Sequence, residues 1–181
     1  MNISIVILSW NGLDLLKECL PSVIRAAGVY GGGCEVLLID NASPDGSAEY
    51  VRGNFPQIKI LSLEENFSFT RAMNKGIGAA KGDVVIALNN DVAVEKDFIA
   101  PLVNHFREDK DVFAVGAKML FWDKKTLNFG RAKGDFRYGF FRRVIDDSSS
   151  AVNSLYACAG GMVLDKDKFL KLGGFDEDYE V

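Results

Sequence analysis

Three groups of polar residues in this 181-residue sequence directly follow runs of apolar residues. They are Ser9-Trp10-Asn11, Asp40 with its neighbour Asn41, and Asn89-Asn90-Asp91. Carboxylate and amide oxygens suit Mg²⁺ or Mn²⁺, which often take further ligands from the phosphates of a substrate. Asp91, with Asn89 close by, is therefore a candidate metal ligand. The alternative is that Asn-Asn-Asp is simply a turn and that Asp91 caps the next helix.

Other polar and aromatic side chains could contact a nucleotide. Asp40 could accept hydrogen bonds from a base or ribose, but an Asx-turn or a helix N-cap explains it equally well. Trp10 could stack on a base, although a tryptophan beside a strand is more often partly buried packing. Arg71 could neutralise a phosphate, although a solvated helix arginine is commoner. Asn66 and Asn74 could order a loop over the base or merely cap and turn.

The elements that must position these residues alternate between strands and helices. Apolar, β-branched runs predict strands at residues 3–8, 35–39, 58–61, 83–88, 112–119 and 156–164, with helix-period segments between most of them. The alternation predicts an α/β domain with a mostly parallel sheet and helices on both faces. Ligands bind beyond the carboxyl ends of the strands in such sheets, so the three polar groups should share one edge. We also expect Gly82 to cap a helix, and residues 120–150 to form a hairpin or mobile loop.

Charge and cysteine content narrow the class of protein. The 21 basic and 25 acidic residues give a net charge of −4 without long runs of one sign. This argues against nucleic acid as a partner and against bulk attraction to anionic lipid. Three separated cysteines and one histidine argue against a disulfide framework or zinc site, and predict reduced thiols in a cytoplasmic protein. The first apolar run is too short for a membrane span and lacks a basic flank, so no signal peptide is predicted.

Five motifs in order resemble family 2 glycosyltransferases, of the branch that includes rhamnosyltransferase-like enzymes. They occupy residues 9–12, 39–47, 65–76, 81–92 and 159–177, the last comprising Ala-Gly-Gly-Met-Val-Leu and Gly-Gly-Phe-Asp-Glu. The resemblance covers essentially the whole chain. It implies the GT-A fold, a Rossmann-like nucleotide-binding sheet merged with an acceptor-binding part. We expect residues 1–118 to form the nucleotide-sugar-binding part and residues 119–181 to begin the acceptor-binding part.

The resemblance also implies roles for the polar groups. Asp40 matches the acid that contacts the base, Trp10 the aromatic against it, and Asn90 the ribose contact. Asp91 matches the metal ligand, with Asn89 where many members carry Asp. Ser9, Asn11 and Arg71 complete the expected nucleotide-binding set.

The implied reaction is metal-dependent transfer with inversion, using Mg²⁺ or Mn²⁺. The donor is a UDP- or dTDP-sugar, and the acceptor is a hydroxyl of a carbohydrate or lipid-linked molecule. The resemblance further implies a role in polysaccharide biosynthesis, in the cytoplasm or at the inner face of the membrane. It also implies peripheral membrane association of the full-length protein.

The resemblance places the general base outside the motifs above. Family members usually continue after Gly-Gly-Phe-Asp-Glu to a Glu-Asp pair that deprotonates the acceptor. The sequence therefore resembles a truncated member whose base lies beyond Val181, with Asp176, Glu177 and Asp178 as alternatives. A non-catalytic nucleotide-binding or scaffold domain of the same fold is the rival interpretation.

Three other nucleotide-binding classes lack their motifs here. No GxGxxG follows the first strand and no GxxxxGK[ST] occurs, which excludes dinucleotide dehydrogenases and P-loop enzymes. The segment 9–12 also lacks the glycine-rich, basic phosphate loop of a nucleotidylyltransferase.

Overall fold

A computed structural model describes residues 1–31, 33–147 and 153–178. The helices are α1 (Leu13–Tyr30), α2 (Ser47–Asn54), α3 (Phe69–Ala79), α4 (Ile99–Glu108) and α5 (Lys166–Lys171). The strands are β1 (Ile3–Ser9), β2 (Cys34–Asp40), β3 (Lys59–Ser62), β4 (Val84–Asn89), β5 (Ala114–Gly116), β6 (Met119–Leu120), β7 (Leu127–Phe129), β8 (Arg131–Arg137), β9 (Phe140–Asp146) and β10 (Gly161–Asp165). Among these described residues, no helix is long and apolar enough to cross a bilayer.

The central sheet has the strand order β3-β2-β1-β4-β10-β5. Strands β3, β2, β1 and β4 are parallel, whereas β10 runs antiparallel to both of its neighbours. This confirms the predicted mostly parallel α/β sheet. Because β10 inserts beside β4, residues from the predicted acceptor-binding part belong to the same sheet as the predicted nucleotide-binding part. The functional division at residues 118 and 119 stays a prediction.

Helices cover both faces of the sheet, as predicted. In β1, Ile5 and Ile7 pack towards α1 and α4, while Val6 between them packs towards α3. This alternation follows from the two-residue period of a strand. On the α3 side, Gly76 lies so close to the sheet that a Cβ there would stand 2.0 Å from Ile39 Cδ1. Because β1, β2 and β4 are largely buried on both faces, their carboxyl ends are held in a fixed row.

The prediction that Gly82 caps a helix is wrong. Helix α3 ends at Ala79, and Ala80, in an extended conformation, is its C-cap. Gly82 instead donates its backbone N–H to Ser4 Oγ at 2.7 Å, and a Cβ would lie 2.5 Å from the Ser4 backbone nitrogen. Glycine is required there by the close approach of two chain segments.

A network around Glu35 ties together the amino-terminal ends of the strands. Its Oε1 accepts hydrogen bonds from Ser4 Oγ and the Lys81 backbone N–H, both at 2.5 Å, and its Oε2 accepts one from Lys59 Nζ at 2.6 Å. Burial by itself would raise the pKa of Glu35. The hydrogen bonds from Lys59, Ser4 and Lys81 outweigh burial and lower that pKa below its usual value. This edge lies opposite the predicted ligand edge, so we assign the network to stability.

The segment predicted as a hairpin or mobile loop contains two hairpins, β6–β7 and β8–β9. The longer one is closed by Tyr138 and Gly139, both with positive φ (53° and 81°), the signature of a type I′ turn. Residues 148–150 of the predicted segment lie outside the described residues. The strand predicted at 112–119 is divided into β5 and β6, and the strand predicted from residue 156 begins only at Gly161.

Candidate functional site

Ser9, Asp40 and Asn90 come together at the carboxyl edge of the sheet. Ser9 pairs with Asp40 across β1 and β2, and Leu8 pairs with Asn89 across β1 and β4. Asn90, one residue further, donates from Nδ2 to Ser9 Oγ at 3.0 Å. Adjacent strands lie about 4.8 Å apart, so the three backbones span only about 10 Å. The row forms a polar floor beyond the ends of three neighbouring strands.

Gly12 leaves the space that Asn90 occupies. A Cβ at this position would lie 2.1 Å from Asn90 Nδ2 and 2.6 Å from Ser9 Oγ. The next residue, Leu13, begins α1 and donates its backbone N–H to Asp45 Oδ2 at 2.9 Å. Sequence reasoning gave no role to Gly12 or Asp45. The position of Gly12 between a predicted strand and a predicted helix could have indicated that a tight turn requires glycine there.

The Asp40 carboxylate adopts the turn geometry that the sequence left open. Its Oδ1 accepts a hydrogen bond from the Ser43 backbone N–H at 3.2 Å, and the residue is buried. No other hydrogen bond to this carboxylate is found among the described residues. The turn therefore orients the carboxylate while leaving acceptor capacity on Oδ2. Turn formation and nucleotide contact are compatible at this position.

Trp10 and Asn11 form an exposed turn after β1. The Trp10 residue is 53% exposed, which does not match the partly buried packing considered from the sequence. Asn11 has a φ of 50° and donates its backbone N–H to Ser43 Oγ at 3.1 Å. The loop after β2 thus holds the turn after β1, and the indole is accessible for stacking at the site.

Asn41 fixes the loop that precedes α3. Its buried side chain donates from Nδ2 to Asn66 Oδ1 at 2.8 Å and to the Phe67 carbonyl at 2.9 Å. Its Oδ1 accepts the Phe67 backbone N–H at 3.0 Å. The loop-ordering interpretation of Asn66 agrees with these contacts. The sequence placed Asn41 at the ligand edge but did not predict these contacts, because its partners lie 25 and 26 residues away.

Arg71 lies beside this loop on the first turn of α3. Its side chain is exposed and its guanidinium carbon stands 4.4 Å from the Phe67 ring centroid. The two residues border a cavity of about 410 Å³ that is also lined by Glu177 and Asp178. A cation–π contact of this kind restrains the arginine without neutralising it. Arg71 therefore offers an oriented positive charge near the carboxyl edge.

The Gly-Gly-Phe-Asp-Glu segment is fastened to α3 by Asn74. Asn74 Nδ2 donates to the Phe175 carbonyl and to Glu177 Oε1, both at 2.9 Å, and Oδ1 accepts the Phe175 backbone N–H at 2.8 Å. Asp176 Oδ1 accepts the Asp178 backbone N–H at 3.0 Å. Two of the three alternative base residues are thus engaged in local hydrogen bonds. Of the three, Glu177 and Asp178 line the cavity beside Arg71.

The residues after β4 could supply part of a metal site. Asp91 is exposed and Asn89 is half-buried, with its Nδ2 standing 3.3 Å from where a Cβ on Gly160 would lie. Across the described residues, no group of three or more His, Cys, Asp or Glu could hold a metal ion. One carboxylate with amide oxygens nearby fits a hard cation that takes most of its ligands from a diphosphate and water. The donor set does not fit a metal held by protein alone.

Comparison with solved structures identifies the fold. A mannosyltransferase from Pyrobaculum calidifontis, in complex with GDP-Man and Mn²⁺, matches with a TM-score of 0.72 and 18% identity over 98% of this chain and 48% of its own. GalNAc-T7 with UDP, GalNAc and Mn²⁺ matches with a TM-score of 0.71 and 21% identity, covering 100% of this chain and 38% of its own. These similarities confirm the predicted GT-A fold.

Comparison of sequences identifies the family. An undecaprenyl-phosphate 4-deoxy-4-formamido-L-arabinose transferase of Edwardsiella ictaluri is 32% identical over 114 residues, covering 61% of this chain and 35% of the relative. The chain thus spans about a third of that relative's length. Residues 4–173 match the family described as Glycosyl transferase family 2. Because this match covers nearly the whole sequence, the chain belongs to glycosyl transferase family 2.

Proposed function

We propose that this chain binds a nucleoside-diphosphate sugar and forms the donor-binding part of an inverting, metal-dependent glycosyltransferase. The observation that carries the proposal is the row of Asp40, Ser9 and Asn90 across three strands, with exposed Asp91 beside it. Such a row provides a buried acceptor, a hydroxyl and an amide beside an exposed carboxylate. This combination suits a base, a ribose and a metal-bound diphosphate in sequence along one edge.

The roles follow from the chemistry of each group. Asp40 would accept a hydrogen bond from a base N–H, Trp10 would stack on the base, and Asn90 would contact the ribose hydroxyls. Asp91, with Asn89, would hold Mg²⁺ or Mn²⁺. When bound, the cation would offset the negative charge that develops on the leaving diphosphate. Arg71 adds a fixed positive charge on the α3 side of the site.

The identities of the nucleobase, the donor sugar and the acceptor belong to the same proposal. Mn²⁺ with GDP-Man in one structural relative, and with UDP in another, supports a nucleotide and a divalent cation at this edge. We propose a UDP- or dTDP-sugar donor and a carbohydrate or lipid-linked acceptor. The undecaprenyl-phosphate name of the sequence relative supports the lipid-linked option. We also propose that the protein belongs to the rhamnosyltransferase-like branch and acts in polysaccharide synthesis at the inner face of the membrane.

Inversion requires a single carboxylate that removes the acceptor proton as the hydroxyl attacks the anomeric carbon. We propose that this base comes from a Glu-Asp pair following the Gly-Gly-Phe-Asp-Glu segment, as the family resemblance implies. Asp176 and Glu177 each accept a hydrogen bond on one carboxylate oxygen, and because the second oxygen keeps acceptor capacity, both stay alternatives. Asp178, which borders the Arg71 cavity, is the first alternative to test.

Isothermal titration calorimetry with UDP, dTDP and GDP tests the binding step. We expect binding to at least one nucleotide that strengthens when Mn²⁺ or Mg²⁺ replaces EDTA. Asp91→Asn should remove the metal dependence while leaving metal-free binding unchanged. Asp97→Asn is the matched control, because Asp97 is another exposed aspartate shortly after β4. Full metal dependence in the Asp91 variant would show that Asp91 is not the ligand.

Transfer is tested separately from binding. A chain extended by the Glu-Asp pair of a family relative should transfer sugar faster than residues 1–181 by about 10²–10⁴-fold, the usual contribution of a general base. Binding without transfer in the extended chain would favour the scaffold interpretation. Equal rates in both chains would place the base within residues 1–181, and Asp178→Asn would then be the decisive variant.

A further inference from the structure

The β8–β9 hairpin carries aromatic side chains into solvent at its end. Phe136, Tyr138 and Phe140, which we call the aromatic tip, are 81%, 88% and 78% exposed. Monomeric soluble proteins seldom leave large aromatic clusters uncovered, and such clusters usually mark a site of interaction. The aromatic tip is therefore a candidate interaction surface.

The base of the hairpin is packed, so the exposure is confined to its outer part. Ala132 is 1% exposed, its N–H is bonded to Ser154 Oγ at 3.0 Å, and its carbonyl accepts the Leu155 N–H at 2.8 Å. Further out, the Phe136 and Phe141 ring centroids lie 5.1 Å apart. The hairpin is thus a ribbon anchored at one end on the body of the protein.

Positive charge accompanies the aromatic tip. Residues 131–146 contain five basic and two acidic residues, a net charge of +3 in a chain whose total is −4. Arg142 pairs with Asp135 at 3.3 Å, whereas the Arg137 guanidinium stands 5.4 Å from the Tyr138 ring centroid at the end of the ribbon. Nearer the anchored end, Lys133 pairs with Asp146 and Arg143 donates to Tyr156 Oη at 2.6 Å, so Arg137 is the basic residue that stands beside the aromatic tip.

We propose that the β8–β9 ribbon is a membrane-contact element whose aromatic tip enters the interface of an anionic bilayer. Aromatic rings and arginine are the side chains best suited to the headgroup region, since each combines apolar surface with a polar or charged group. Each basic residue near an anionic surface strengthens attraction to it. A narrow two-stranded end suits insertion into lipid better than it suits the roughly 800 Å² that each partner buries in a standard protein interface.

The local charge of the ribbon differs from the net charge of the whole chain. The net charge of −4 and the absence of long runs of one sign argued against bulk attraction to anionic lipid. The ribbon carries +3 and the remainder of the chain −7, and electrostatic attraction acts over only about 8 Å at physiological salt. A bilayer close to the ribbon therefore experiences the ribbon's local charge of +3 and not the net charge of the whole chain.

The ribbon is anchored at the edge that carries the candidate site. Gly161 pairs with Leu88 at the carboxyl end of β4, so the residues before β10 that hold the ribbon lie on the same side as Asn89. If the proposed function is correct, membrane contact here would bring the site close to a lipid-linked acceptor. The vesicle contact itself does not depend on that function.

Vesicle co-sedimentation tests the ribbon directly. We expect the chain to bind 70:30 phosphatidylcholine:phosphatidylglycerol vesicles at least about tenfold more tightly than phosphatidylcholine alone, and to be weakened by 0.5 M NaCl. Replacing the tip in the triple variant Phe136→Ser/Tyr138→Asn/Phe140→Ser should reduce that binding at least about tenfold. Asparagine at 138 keeps the turn, because Asn-Gly is the preferred type I′ pair. Arg137→Gln should cost about fivefold.

The matched control is Val29→Ser/Leu172→Ser, which removes exposed apolar side chains outside the ribbon and should bind vesicles like the original chain. Circular dichroism and nucleotide calorimetry on the same variants separate loss of the ribbon contact from loss of the fold or of nucleotide binding. The proposal is overturned if the unaltered chain does not bind anionic vesicles, or if the triple variant binds them equally well. It is also overturned if the tip instead mediates a dimer, seen by size-exclusion chromatography, without vesicle binding.

Discussion

Substituting Gly12 with alanine tests whether the room beside Asn90 is structurally required. The new Cβ would stand 2.1 Å from Asn90 Nδ2 and 2.6 Å from Ser9 Oγ, distances that no real contact tolerates. The φ of Gly12 is −113°, so backbone strain does not contribute. Asn90 must therefore move and give up its hydrogen bond to Ser9.

The magnitude follows from overpacking. Forcing extra volume into a packed site costs about 1–3 kcal/mol, and the lost hydrogen bond accounts for about 1 kcal/mol of that. In a domain of this size, 2 kcal/mol corresponds to a decrease in Tm of about 4–8 °C. We expect Gly12→Ala to fall in this range by urea denaturation and thermal melting, and to weaken nucleotide binding if the proposed site is correct.

A double-mutant cycle isolates the cause. Asn90→Ala alone should cost about 1 kcal/mol, but it removes the closest clash, so the pair Gly12→Ala/Asn90→Ala should lose clearly less than the sum of the singles. Gly28→Ala is the matched control. It lies on the exposed side of α1 with no atom within 4 Å of its Cβ position, and should gain about 0.5–1 kcal/mol. Additive losses in the cycle would refute the steric explanation.

Three further outcomes follow from contacts away from Gly12. The pKa of Glu35 is lowered in the folded state, so its stabilising effect holds above about pH 5 and is lost as the pH falls through that pKa. Glu35→Gln loses the ion pair with Lys59 and should make the free energy of unfolding, measured between about pH 6 and 3, depend less on pH. Asn74→Ala, which removes the hydrogen bonds to Phe175, should cost about 2 kcal/mol in urea unfolding, and an unchanged midpoint would contradict the contacts. Burial raises the pKa of Cys34 to about 11, so iodoacetamide at pH 8 should modify it at least about a hundredfold more slowly than free cysteine, with unfolding in urea restoring the rate.

The alternation of strands and helices was determined locally, and for that reason the sequence predicted it. Apolar residues at two-residue or 3.6-residue spacing record which face of an element is buried, whatever its neighbours are. The carboxyl edge followed from the same information, because parallel strands all end on one side. This is why Ser9, Asp40 and Asn90 could be expected together before any contact was known. The roles given to them, and to Asp91 as a metal ligand, remain predictions.

Turn composition does not distinguish the different physical reasons for which a residue stands in a turn. Gly82 follows a helical pattern, so a helix cap was expected, but the close approach of Ser4 is what requires glycine there. For Asp40, turn composition could not separate a local hydrogen bond from a ligand contact. The structure shows the local bond to Ser43 and leaves the second oxygen with acceptor capacity.

Tertiary structure alone decided the contacts that hold the site in shape. Asn41 reaches the loop 25 residues on, Asn74 reaches Phe175 across 101 residues, and the antiparallel β10 enters the sheet beside β4. The same is true of the β8–β9 ribbon: its five basic residues are close together in sequence, but only the structure shows that the ribbon ends in exposed aromatic side chains. Such features depend on strand register and on which surfaces pack together. No local spacing of residue types encodes them, because the partners meet only once the sheet has formed.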